Sequence, residues 1–373
     1  MSLLEERYRR VLRLLPASYR AEREEEMVSA FLEGVGDGEE PADEDLARPN
    51  WSEIASVAAL AMRVRLGGVG APPERFVWGE GVRLAARLGL LFHAVLGCVS
   101  AGGLLRLYGV LGSPPAAGLA PEDIIGTAGS VERLRHLAES APVVAWVAAY
   151  ALLVYGHRRA AKVLAVLALL PMIFRLAIDV GTVVGAAPSL ADQGRMQIRT
   201  DVPYVLLAVV PVLALLAGYH RDAPAARRPP RFFVVPAVAG ALAAVALGVV
   251  MATPGLGPGI RPWIDPGGLF YLLLLVVGAA YTGVHIFAAG RRSPCWPLAL
   301  LLLLIPAVFT RIAAFFSYSY DPTAGVGTAM LLIQIAAALP AGLLLVVLAA
   351  PMMRRLPSPD PPPGYGADGG SRG

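Results

Sequence analysis

From residue 84 onward the chain is built of apolar runs long enough to cross a bilayer, and no other feature narrows its possible folds as far. A hydrocarbon core is about 30 Å thick and a helix rises about 1.5 Å per residue, so about twenty apolar residues suffice. No water satisfies backbone amides inside lipid, which makes such a span a helix. Eight runs are read, at about 86–108, 140–156, 162–185, 202–219, 232–252, 267–289, 295–316 and 328–350. Composition agrees: 56% of the 373 residues are hydrophobic and 16% are charged, against roughly 25% charged in soluble domains. The expected class is all-α, a polytopic membrane helix bundle over residues 84–355 with a small helical prefix over 1–83.

The connecting loops orient the bundle. Arg158, Arg159, Lys162, Arg221, Arg227, Arg228, Arg231, Arg291, Arg292, Arg354 and Arg355 fall on the side of the prefix, eleven cations against five on the other side, Arg133, Arg135, Arg195, Arg199 and Arg261. Cations concentrate in cytoplasmic loops, so both termini are expected in the cytosol. The N-terminus has no apolar stretch of signal-peptide type, which keeps the prefix in the cytosol as well. Thirty-one Arg against one Lys and one Asn point to a high-GC bacterial genome, and hence to the bacterial cytoplasmic (inner) membrane.

Residues 1–50 carry seven Arg against thirteen acids, whereas residues 88–373 carry twenty cations against twelve acids. The pI near 9.2 thus comes from loops between spans and does not indicate nucleic-acid binding. Leu3, Leu4, Tyr8, Val11, Leu12 and Leu15 recur at helical spacing until Pro16, and a second helix is expected from about Ser18 to Leu32. Residues 34–49 form an acidic Gly/Pro-rich linker, after which Asn50 and Glu53 have capping-box spacing for a third helix. Three short helices bury little core alone, so the prefix is expected to lean on the membrane, its own loops or a partner. The Pro/Gly-rich residues 356–373 read as a disordered tail.

An internal repeat is suggested by LLPMIFRLAID at 169–179 and LIPAVFTRIAA at 304–314, each with a mid-span proline, a phenylalanine and then an arginine. Pro211 and Pro340 occupy matching places in the following spans, which fits a four-plus-four duplication with parallel halves. Arg175 and Arg311 are the repeat-related arginines and, with Asp179, form the candidate anion or substrate site. Asp179 stands four residues after Arg175 on the same helical face, and Asp321 is available to Arg311. Two readings are open: the guanidinium groups face a shared anionic ligand, or each is paired or snorkels and fixes helix depth.

His93, His285 and Gln334 are candidate intramembrane polar groups, the histidines able either to relay protons or simply to bond a neighbouring helix, and Gln334 better suited to joining helices. Pro171, Pro211, Pro236, Pro306 and Pro340 lie away from span ends, where helix breaks line many transporter sites. Gly240, Ala244 and Gly248 form a small-residue packing stripe, within one chain or at a homodimer seam. Cys98 and Cys295 are the only cysteines and exclude a CxxC metal or redox motif. No P-loop, HExxH or GxSxG occurs, the GLGPG at 255–259 has no strand before it, and Glu122-Asp123 reads as solvated. No metal, cofactor or catalytic residue is therefore expected.

The stretch Tyr8-Arg9-Arg10-Val11-Leu12-Arg13-Leu14-Leu15-Pro16-Ala17-Ser18-Tyr19-Arg20, followed by Glu25-Glu26-Met27, resembles the short prefix domain found before the first span of many bacterial permeases. It is also similar to the HAAS-type domain of membrane proteins that accompany PadR-like regulators. The resemblance implies a cytosolic, helical prefix used in signalling or assembly. The membrane part departs from permeases with four spans and a large extracytoplasmic domain. The expected function is accordingly a non-enzymatic membrane regulator or sensor whose residues 1–66 engage a cytosolic or membrane partner. The alternative is a secondary transporter or flippase for an anionic solute or lipid using Arg175 and Arg311, and a membrane-embedded enzyme comes third.

Overall fold

The computed structural model describes residues 3–36, 50–67, 73–107, 127, 129–185, 188–220, 234–251, 260–287, 295–318 and 325–354. Every regular element among them is a helix: α1 (Leu3–Leu12), α2 (Ala17–Gly36), α3 (Trp51–Arg65), α4 (Pro73–Leu107), α5 (Val131–Val154), α6 (Arg158–Gly185), α7 (Pro188–Gly218), α8 (Val234–Met251), α9 (Arg261–Ile264), α10 (Pro266–Phe287), α11 (Cys295–Tyr318) and α12 (Gly325–Arg354). Residues 37–49 of the expected acidic linker, the expected tail at 356–373, the 255–259 loop, Glu122-Asp123 and Asp321 lie outside the described residues.

The prefix has a core of its own. Tyr8 and Leu12 of α1, Leu15, Val28 of α2, and Val57 and Ala61 of α3 are buried together, and the Tyr8 and Phe31 rings stack with centroids 4.0 Å apart. Glu53 accepts the Asn50 backbone N–H at 2.9 Å, closing the start of α3 as its sequence spacing suggests. Arg65 donates to the Leu14 carbonyl at 2.8 Å and ties the end of α3 to the α1–α2 turn. Burial pushes the Tyr8 hydroxyl pKa up, and the nearby Glu53 charge adds to the shift.

Among the described residues six helices are long and apolar enough to cross a membrane, over Phe76–Arg106, Arg158–Gly181, Asp201–Gly218, Pro266–Gly283, Cys295–Phe316 and Gly325–Leu348. Pro142–Val154 in α5 and Ala237–Val250 in α8 are apolar over shorter stretches. Large apolar side chains point outward from these helices, among them Phe174, Leu242, Val276, Ile305, Leu339 and Leu343, each at least 65% exposed. Water would not tolerate that surface, and lipid does.

Helix boundaries differ from the hydropathy reading in a consistent direction. The first apolar run, read from about 86, lies within one continuous helix α4 that begins at Pro73 and runs through the expected boundary at 83/84. The polar segments 131–139 and 188–200, which precede the apolar runs at 140–156 and 202–219, are the first turns of α5 and α7. Ser130 caps α5 by accepting the Arg133 N–H at 3.2 Å. Hydropathy marks where lipid begins, but backbone hydrogen bonding continues a helix through polar residues past that point. The prolines interrupt less than expected: α6, α7, α11 and α12 run on as α-helix through Pro171, Pro211, Pro306 and Pro340.

Helix α4 is the hub. It packs against α5, α7, α8 and α11, and its first turns meet α3. A Cβ on Gly102 would lie 2.0 Å from the Val245 carbonyl oxygen, and one on Gly248 would lie 1.8 Å from that of Val99. Only glycine permits this approach of α4 to α8. The prefix joins at the same helix, since a Cβ on Gly79 would lie 1.9 Å from the Leu66 carbonyl oxygen.

Candidate functional site

Among the described residues the most buried charge in the bundle is Arg311, 1% exposed, on α11. Asp265, Pro266 and two glycines bring its counter-charge. Asp265 stands just before α10 and accepts the Gly268 backbone N–H, while Pro266 occupies the first helical position, where its missing N–H costs nothing. Held in this way, the Asp265 carboxylate accepts from Arg311 Nη2 at 2.8 Å and from Nη1 at 3.3 Å. The single turn α9 aims the Pro262 carbonyl inward, and it accepts from Arg311 Nη1 at 2.9 Å and from Gln334 Nε2 at 3.2 Å. Gln334 on α12, fully buried, also accepts from Arg311 Nη1 at 3.4 Å. A Cβ on Gly267 would lie 1.8 Å from Arg311 Nη2, so a side chain there would push the guanidinium out of this position.

These contacts tie α9, α10, α11 and α12 into one polar knot. Its charges cancel and its donors are largely engaged by protein acceptors, which is how a buried arginine is tolerated in an apolar surrounding. The arrangement holds helices in register, and presents little to an external anion.

The structure separates the two arginines that the sequence pattern relates. Arg175 on α6 is exposed and pairs with Asp201 of α7, Nε to Oδ2, at 3.0 Å. Arg311 pairs with Asp265, and the two guanidinium groups share no partner among the interactions described. Their helices sit apart in the packing: α6 lies against α5 and α7, while α11 lies against α4, α7, α10 and α12. Asp179, expected beside Arg175, is half-buried one turn further along α6. Sequence reasoning missed Asp265, Pro262 and Asp201. The Asp265-Pro266 step carried a readable helix-start signal, whereas nothing local marked Asp201 as the partner of Arg175.

His93, 4% exposed on α4, stacks on Trp146 of α5 with ring centroids 4.6 Å apart. Its Nε2 lies 3.2 Å from the Leu207 carbonyl oxygen, which can only accept, so that nitrogen carries the proton. The side chain of His285 lies outside the described residues. Of the small-residue stripe, Gly248 and Ala244 pack within the chain, whereas Gly240 is exposed and a Cβ added to it would meet nothing within 4 Å. Two clefts, of about 410 Å³ beside Tyr271 and about 530 Å³ between α7 and α11, are lined mainly by apolar side chains and by neither Arg175 nor Arg311. Among the described residues no group of His, Cys, Asp and Glu could hold a metal ion.

No protein family matches the chain, and neither does any curated protein or any solved structure.

Proposed function

We propose that the protein is a non-catalytic membrane regulator or sensor, in which the helical prefix engages a cytosolic partner and the bundle responds to the membrane. The observation that carries this reading is mechanical. The prefix has its own three-helix core and meets, through Leu66 and Gly79, the helix against which α5, α7, α8 and α11 all pack. A shift of α4 within the bundle reaches the prefix directly, and a partner on the prefix reaches α4 in return.

In this reading the six long helices and the two shorter apolar ones make eight spans in a bacterial cytoplasmic membrane. The cation excess of the prefix-side loops supports cytosolic termini. The shared Pro and Arg positions of α6 and α11 support descent from a four-helix unit, and the HAAS-like residues of α1 and α2 support a signalling role. The competing reading, a transporter or flippase for an anionic solute or lipid, needs Arg175 and Arg311 at a common polar cavity, and their separate ion pairs do not favour it.

Co-purification with full-length protein tests the proposal. A cytosolic protein retained by the intact chain should be lost when residues 1–66 are removed, and retained but uncoupled from the bundle in Gly79→Leu. An unchanged partner profile after the deletion would sink the regulatory reading. Reporter fusions at the two termini should both report the cytosol, and a periplasmic signal from either end would refute the topology.

A further inference from the structure

Four cations converge where the prefix joins the bundle, and Tyr219 stands among them. Tyr219 lies just past α7 and is 3% exposed. Its hydroxyl accepts a hydrogen bond from Arg87 Nε of α4. The guanidinium carbons of Arg87 and of Arg158, at the start of α6, lie 5.8 and 5.9 Å from the centre of its ring, within cation–π range. Lys162, one turn on from Arg158, donates to the Leu216 carbonyl at 3.1 Å. Arg83, one turn before Arg87, runs along Gly218 at the end of α7.

Arg83 is the informative member. Cations at the ends of spans ordinarily extend into water, yet Arg83 is 8% exposed. It makes no hydrogen bond or ion pair with any described residue. It lies within the field of Arg87 and Arg158, and the acid that acts on it is Glu80. A buried guanidinium with no hydrogen-bonding partner among the described residues is unfavourable in the protein alone, because burial penalises its charge and the attraction of Glu80 is opposed by Arg87 and Arg158. It becomes favourable when an anion sits among them.

We propose that Arg83, Arg87, Arg158, Lys162 and Tyr219 form a binding site for a phosphate group, that of an anionic phospholipid headgroup. Guanidinium forks match the paired oxygens of a phosphate, and the Tyr219 ring and hydroxyl hold two of them in place. Arg83 forms the floor, with Arg87 and Lys162 toward the rim. The site opens at the start of α6 and the end of α7, level with Arg83 and Arg87 within α4, and basic pockets between membrane helices are known headgroup sites. The assignment does not depend on the prefix recruiting a partner.

The test uses the purified full-length protein in detergent micelles with phosphatidylglycerol, phosphatidylcholine or inorganic phosphate added, reading bound lipid by native mass spectrometry and the thermal unfolding midpoint. Phosphatidylglycerol, and not phosphatidylcholine, is expected to be retained and to raise the midpoint. Arg83→Gln and Arg87→Gln should each weaken that retention roughly tenfold or more, the effect of losing a charged hydrogen bond. In lipid-free protein Arg83→Gln should raise the midpoint, because it removes a charge held out of water; a merely structural arginine would lower it. A midpoint raised by inorganic phosphate to the same extent would identify a soluble phosphate as the ligand and overturn the lipid source. Equal retention of phosphatidylglycerol by wild type and both variants, or no response to any probe, would overturn the site. Should Arg83→Gln fail to fold, Arg87→Gln, at an exposed position, decides.

Discussion

Replacing Asp265 by alanine removes the carboxylate that faces Arg311, and the structure gives the change an unequal counterpart. Asp265→Ala leaves a guanidinium with 1% exposure and no counter-charge, since it loses the contacts at 2.8 and 3.3 Å. Breaking a buried pair from one side costs roughly 3–5 kcal/mol, and losing the cap on the Gly268 N–H adds about 1 kcal/mol. Arg311→Met leaves Asp265 instead, which is 20% exposed, still caps α10 and can be hydrated. Gln334 and the Pro262 carbonyl still satisfy each other at 3.2 Å. That variant should lose about 1–3 kcal/mol. Asp265→Asn keeps an oxygen for the cap and should fall between the two. Equilibrium unfolding of full-length protein in mixed detergent–dodecyl sulfate micelles ranks the three variants. If Asp265→Ala proved no more destabilising than Arg311→Met, the view that Arg311 is the buried, dependent member of the pair would be refuted.

Gly102→Ala should destabilise by about 1–3 kcal/mol, because its Cβ would meet the rigid Val245 carbonyl, while Gly240→Ala, facing open space, should be neutral or stabilise by up to about 1 kcal/mol; thermal unfolding of the pair tests this, and equal effects would contradict the α4–α8 approach. His93→Phe keeps a ring against Trp146 but drops the bond to the Leu207 carbonyl, so a loss of about 0.5–1.5 kcal/mol in the same unfolding assay is expected. In the prefix, the hydrogen bonds from Arg9 hold the Glu25 carboxyl below its ordinary value of 4.5. A lowered folded-state pKa stabilises above the unfolded value and is lost as pH falls through the folded one, so the α1–α2 contact should loosen only in acid, below about pH 4.5. Protease susceptibility of full-length protein across pH 3–6 should show this loosening, with Glu25→Gln flattening the dependence; a wild-type profile unchanged over that range would count against it.

Much of the architecture was legible because it depends on local properties. The capping spacing of Asn50 and Glu53, the proline after α1 and the apolar runs each act within a few turns of chain, and the helices stand where those signals place them. The helices extend beyond the apolar runs at Pro73, Val131 and Pro188 for one reason: polar residues end a hydrophobic run but not a helix. The candidate site was legible only in part. Arg311 and Gln334 were identifiable as polar residues in apolar spans, and they meet. Arg175, related to Arg311 by its motif, lies in another environment beside Asp201.

The sequence by itself determined a helical membrane chain with a separately patterned prefix, since hydropathy, length and caps decide those features residue by residue. Only the tertiary structure decided which polar groups meet: Arg311 with Asp265 and Gln334, Arg175 with Asp201, and Arg83, Arg87 and Arg158 around Tyr219. The physical reason is that helices apolar on every side have no inward face written in their periodicity. In lipid the hydrophobic effect does not choose one. The choice falls to close backbone approaches such as Gly102 and Gly248, and to polar groups that find partners far away in the chain.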